Sequence, residues 1–80
     1  MRMIVGTTPQ KVVSSGRARP VIQNRGPGTI YIDTQGTVSP DTGLELMPQM
    51  IMEFATSGSL DDIYVVSTQA ATDVRVIEIG

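Results

Sequence analysis

Apolar residues in this chain recur at every second position in short runs, and turn-forming residues interrupt those runs at intervals of roughly ten residues. In "TIYID", Ile30 and Ile32 point one way and Tyr31 and Asp33 the other, which is how a strand with one buried face is written. A helix would need apolar residues three and four apart over several turns, and no segment convincingly supplies them. The chain is therefore expected to be all-β: an antiparallel β-sandwich or jelly roll of about seven to eight short strands. Periodicity leaves the order of the strands open.

Read from its start, "RMIVG" is a first strand, broken by Thr7, Thr8 and Pro9 before "QKVV" resumes. "SSGRARP" is a loop, because Ser14, Ser15 and Gly16 favour turns and Pro20 biases Arg19 towards an extended backbone. "VIQNRGPGTIYID", Val21 to Asp33, reads as a hairpin bent at Gly26, Pro27 and Gly28, with Asn24 tying its backbone through a local hydrogen bond. "TQGTVSPDTG" is a polar loop with room for one short strand at Thr37 to Ser39.

After Pro48 the alternation returns, with Met50, Met52 and Phe54 on one face and Ile51 and Glu53 on the other. Met47, Met50 and Met52 suit a core or an adaptable interface, and the core is the expected place. "TSGSL" is a turn, and "DDIYVVS" is apolar on both faces, which places it centrally. In "DVRVIEI" the apolar side shifts from Val74 and Val76 to Ile77 and Ile79, so a bulge near Val76 and Ile77 is expected to restore the register.

With 80 residues the chain is expected to form one domain, residues 1–80, around one thin core. Domains of this size bury only ~60% of the surface that their unfolded chains expose, and many add a disulfide, a metal or an oligomeric contact. There is no cysteine for a disulfide and no histidine for the usual structural zinc sites, which leaves contact with other chains. The apolar runs are far shorter than the ~20 residues of a membrane-spanning helix. Met1 to Val5 is too short for a signal-peptide core, so the mature chain is expected to begin near Met1.

Charge is divided along the sequence. Residues 1–40 hold Arg2, Lys11, Arg17, Arg19 and Arg25 against Asp33, and residues 41–80 hold seven acids against Arg75, a balance of +4 against −6. Neighbouring N- and C-terminal strands in one sheet would pair these charges weakly. The sharper alternative is a basic edge of one copy meeting an acidic edge of the next, or of a partner.

Catalytic residue types are scarce. Histidine and cysteine are absent and Lys11 is the single lysine, so no enzyme is expected. Asp61 and Asp62 are adjacent and would point to opposite faces of a strand, and Asp33 and Asp41 bracket a loop without the alternating oxygen ligands of a calcium site. "GPG" and "GTTPQK" lack the spacing of phosphate-binding loops. With one Phe, two Tyr, no Trp and a net charge of −2, neither a cofactor nor nucleic acid is expected. The candidate contact residues are Arg17, Arg19 and Arg25, able to meet carboxylates, and Tyr31 and Tyr64, amphipathic rings suited to interfaces.

The order of motifs carries more than any one of them. A basic segment leads to "VIQNRGPGTIYID", then a threonine-rich loop, "GLELMP", an alternating strand and "IYVVSTQAATDVRVIEI". Over residues ~17 to 79 this resembles the small β-sandwich capsid decoration (cement) proteins of tailed bacteriophages, in which an "IQN-G-G-(V/I)YI" hairpin, a "G-L-L-P" segment and an "(L/I)Y-V-S…T-V-R-V-E" terminus follow in that order. Pro48-Gln49 stands where such segments often carry a glycine after the proline. The resemblance implies a structural virion protein on the capsid surface, a homotrimer that binds the major capsid protein, with no small-molecule substrate and no membrane contact. The alternative is a receptor- or carbohydrate-binding module of a phage tail or fibre.

Overall fold

Period-two alternation builds strands throughout the chain. Residues 1–13, 19–54 and 62–79 are described in a computed structural model, and among them eight strands and no helix occur. They are β1 (Arg2–Val5), β2 (Gln10–Val13), β3 (Arg19–Gly26), β4 (Ile30–Asp33), β5 (Leu44–Leu46), β6 (Ile51–Glu53), β7 (Ile63–Ser67) and β8 (Thr72–Ile79). Two four-stranded antiparallel sheets result, ordered β1-β8-β3-β6 and β2-β7-β4-β5.

The order is that of a jelly roll. First strand pairs with last, second with seventh, third with sixth and fourth with fifth, as if one long hairpin had been rolled into a sandwich. Of the steps between consecutive strands, only β4 to β5 stays within a sheet. The reading of "DDIYVVS" as central holds, since β7 lies between β2 and β4.

Inward residues of the two sheets form one core. Val5, Ile22, Val74 and Val76 from the first sheet meet Val12, Ile30, Ile32, Leu46, Ile63 and Val65 from the second, with Met3, Met52 and Phe54 packed against them. Each fully buried aliphatic side chain contributes about 1.5–3 kcal/mol relative to exposure.

Four expectations are corrected. "VIQNRGPGTIYID" is no hairpin, because β3 and β4 belong to different sheets and the Gly26–Thr29 bend carries the chain between them. The same strand-turn-strand pattern serves both arrangements, and the choice falls to long-range partners: β3 pairs with β8 and β6, β4 with β7 and β5. Thr37 to Ser39 form no strand, although Val38 is buried.

No bulge lies at Val76 and Ile77; the register shifts fall in β2, between Lys11 and Val13, and in β3. β8 pairs evenly through Val76↔Ile22 and Ile77↔Val21, and the register instead slips between Asn24 and Gly26. Gly26 has φ +84°, a conformation that a glycine adopts without steric cost. Ile77 therefore faces outward. Met47 and Met50 are also exposed and not core, because they flank the Pro48-Gln49 turn where the chain passes from β5 to β6, while Met52 keeps its place against the core.

Asn24 does tie the bend, and it does more. Fully buried, it accepts from the Gly26 amide at 2.8 Å and donates its Nδ2 to the carbonyls of Gly28 at 2.9 Å and Leu46 at 2.8 Å. Its own amide donates to the Met50 carbonyl at 3.0 Å, and its carbonyl accepts from the Gln49 amide at 2.7 Å. One side chain and its backbone thus bind two adjacent crossings, β3 to β4 and β5 to β6. A buried hydroxyl pair, Ser67 and Thr72 at 2.6 Å, fixes the neighbouring β7-to-β8 crossing, with Thr72 Oγ1 accepting from the Gly28 amide at 3.2 Å.

Candidate functional site

The two outer faces of the sandwich are treated differently by the chain. On the second sheet, Tyr31, Val66, Tyr64 and Asp33 point outward, and the loop between β4 and β5 folds back over them. Gly36 lies against the Tyr64 ring, where an added Cβ would stand 3.5 Å from it. Gly43 sits so tightly on Tyr31 and Val38 that a Cβ would approach each within 2.8 Å. Val38 and Val66 are buried by this loop, outside the central core.

No described segment covers the first sheet in this way. Its outward row Ile77–Val21–Glu53 runs beside the row Arg2–Arg75–Gln23–Ile51, and Arg19 and Arg25 flank them on β3. Ile77 is 61% exposed and Ile51 59%, large values for isoleucines in regular strands. An apolar centre within arginines is the make-up of a contact surface.

Charges on that face are organised around one carboxylate. Arg75 donates to Asp73 through Nε at 3.1 Å and Nη2 at 3.2 Å, and Arg2 approaches the same carboxylate at 3.6 Å. The Arg75 hydrogen bonds hold the Asp73 carboxyl below its ordinary range, with the charges of Arg75, Arg2 and Arg25 adding to the effect, and Arg75 is raised in return. Partial burial opposes the shift at Asp73 and is outweighed. Arg2 and Asp73 lie on paired strands, so neighbouring terminal strands do pair their charges.

The second sheet is acidic. The Tyr31 hydroxyl donates to Glu45 at 3.0 Å, and that bond, with burial and the charges of Glu45 and Asp41, raises the phenol above its usual value. Lys11 reaches Asp62 at 3.7 Å. Among the described residues no group of three or more His, Cys, Asp or Glu side chains is placed to hold a metal.

A cleft of about 280 Å³ opens at one end of the sandwich between Ile32, Ile63, Leu44 and Phe54, with Asp33, Thr34 and Thr42 at its rim. Ligand pockets usually occupy ~300–1,000 Å³, so this one has room for a single ring or side chain.

The structure splits the sequence-derived contact residues into two groups. Arg19 and Arg25 lie exposed on the outer face of the first sheet, while Tyr31 and Tyr64 share the outer face of the second, half-buried under the loop; Arg17 lies outside the described residues. Sequence reasoning missed Ile51, Ile77 and Leu44. The signal for Ile77 was present as the shift of apolar residues in "DVRVIEI", which a bulge would have turned inward and a regular strand leaves outside.

No protein-family model matches the chain, and no curated protein or solved structure matches it significantly. The described residues form a jelly-roll sandwich with one outer face covered by its own β4–β5 loop and another, apolar-centred, that no described segment covers.

Proposed function

We propose that the chain is a structural virion protein, a capsid decoration (cement) protein that sits on the outside of a tailed-phage head, associates with itself as a homotrimer and binds the major capsid protein. The carrying observation is the outer face of the first sheet, which no described segment covers and where Ile51, Ile77 and Val21 stand among Arg2, Arg19, Arg25 and Arg75. A contiguous exposed apolar patch rimmed by polar residues marks an interaction site. The order of the sequence motifs directs the reading to phage heads. By this reading the chain works through contacts and needs no cofactor or reactive side chain, and its site of action is the virion surface.

The test is binding of the purified chain to expanded phage heads, followed by heating. Heads carrying the chain are expected to retain DNA at higher temperature or under osmotic shock than heads lacking it. A chain that stays monomeric and shows no affinity for expanded heads overturns the proposal.

The cleft favours a second reading, a carbohydrate-binding module, since Phe54 offers a ring beside the polar groups of Asp33, Thr34 and Thr42. Tyr31 and Tyr64 are poorer platforms, one bonded to Glu45 and the other under Gly36. Glycan-array hits that disappear in Phe54→Ala would establish this reading over the first.

A further inference from the structure

The two edges of the first sheet, β1 and β6, present matching backbone groups and side chains. On β1, Met1 exchanges both backbone bonds with Val76: its nitrogen donates at 2.6 Å and its carbonyl accepts at 2.7 Å. Such pairs alternate along an antiparallel ladder, so Met3 and Val5 also bond towards β8, and the N–H and C=O groups of Arg2 and Ile4 point out of the sheet. On β6 the bonds to β3 fall at Met50, whose carbonyl accepts from the Asn24 amide at 3.0 Å, and at Phe54, whose amide donates to the Pro20 carbonyl at 3.0 Å. The groups of Ile51 and Glu53 therefore point out of the opposite edge. No described strand pairs with either edge. The side chains of Arg2, Ile4, Ile51 and Glu53 all lie on the outer face, where Ile4 is 48% and Ile51 59% exposed.

We propose that these edges pair between copies, β1 of one copy lying antiparallel to β6 of the next, with Arg2 opposite Glu53 and Ile4 opposite Ile51. Strand direction permits it, because β1 and β6 run oppositely within the sheet and a copy set alongside in the same orientation offers an antiparallel neighbour. Only this register sets both outward-bonding residues of one edge against both of the other, each pair exchanging its two backbone bonds. The side chains agree with the backbone. Arg2 meets Glu53, which forms no ion pair among the described residues, the exposed isoleucines cover each other, and Met3 meets Met52 on the inner face. β1 against its own copy would set Arg2 opposite Ile4, and β6 against itself Glu53 opposite Ile51, so the match of charge and of apolar surface selects the crossed pairing. The contact is heterologous, so each copy keeps one free edge of each kind and association passes the dimer until a ring closes. Arg2 shares its row with Ile51 of its own copy and with Glu53 of the next, a stagger of two residues per copy, and stagger together with strand twist is what lets a sheet curve shut. This contact gives form to the self-association in the decoration reading and rests on that part of it.

The experiment is sedimentation velocity, native mass measurement and amide exchange on the untagged full chain between about 5 and 200 µM, with two variants at exposed positions, Ile4→Asp and Ile51→Asp. The wild type is expected to form a closed species larger than a dimer, with exchange at the Arg2, Ile4, Ile51 and Glu53 amides slowed at least about tenfold on association. Each variant alone is expected to be monomeric, and an equal mixture to form a one-to-one heterodimer, because each lends the edge that the other lacks. A circular dichroism melt checks that both are folded. If either is not, Arg2→Glu and Glu53→Arg take their places: each alone is expected to weaken association, and the two combined in one chain to restore it. The proposal is overturned by a wild type that is monomeric throughout or stops at a dimer, by unchanged exchange at these amides in the associated chain, or by folded variants whose mixture does not pair. Association lost in Ile77→Asp and kept in both edge variants would place the contact on the sheet face and overturn it too. Head binding by a chain that does not self-associate would sink this contact and spare the capsid-binding part of the decoration reading; self-association without head binding would do the reverse.

Discussion

Asn24 is a fully buried polar residue set where β3, the bend after it and β5 meet. Its side chain satisfies one buried amide and two buried carbonyls on three segments, and leaving such groups unpaired costs ~1–3 kcal/mol each. Asn24→Ala is expected to lower stability by about 3 kcal/mol, read as a shift of the urea midpoint at unchanged slope. A second prediction concerns Asp73, whose carboxyl is held below its ordinary value by hydrogen bonds from Arg75. A lowered folded pKa stabilises above the unfolded value near ~3.9, and that contribution disappears as pH falls through the folded value. Asp73→Asn should melt below the wild type at pH 7 and lose less of its melting temperature between about pH 5 and pH 2. If the two lose equally, the Arg75 contact has no effect on stability.

Among the elements, the β4–β5 loop decides which sheet face is left for partners. Gly43 permits its close seat, and Gly43→Ala would drive a Cβ to 2.8 Å from both Tyr31 and Val38. The loop is expected to lift, with a loss of about 1–3 kcal/mol and faster amide exchange at Val38, whose N–H donates to Gln35 within the loop. Unchanged exchange there would show that the loop's seat does not depend on Gly43. Most strands were legible from alternation: β1, β2, β3, β4, β6, β7 and β8 all fall in segments where the apolar pattern puts a strand. β5 was not read from "LEL", because three residues show too little alternation to separate a strand from a loop, and it exists through its pairing with β4. The Gly-Pro-Gly bend was legible as a bend, yet its partners sit far along the chain and no local signal tells a hairpin from a crossing between sheets.

For the whole molecule, association and stability are one question. Anything that binds the folded chain and not the unfolded one raises its melting temperature by mass action. The wild type is therefore expected to melt higher as its concentration rises from 5 to 200 µM (about a fortyfold increase in partner), and Ile51→Asp is expected to show no such rise. A concentration-independent wild type would leave the exposed Ile77 and Ile51 of the first sheet without a stabilising role. Taken alone, the sequence determined the all-β class, one small core and the scarcity of reactive side chains, because period-two alternation, length and composition are local or additive properties of the chain. The rolled strand order, the burial of Asn24 at two crossings, the loop over Tyr31 and Tyr64, and the exposure of Ile77 and Ile51 were decided by tertiary structure. Each depends on which distant strand a segment pairs with, and that choice is made by packing between sheets and not by any stretch of residues on its own.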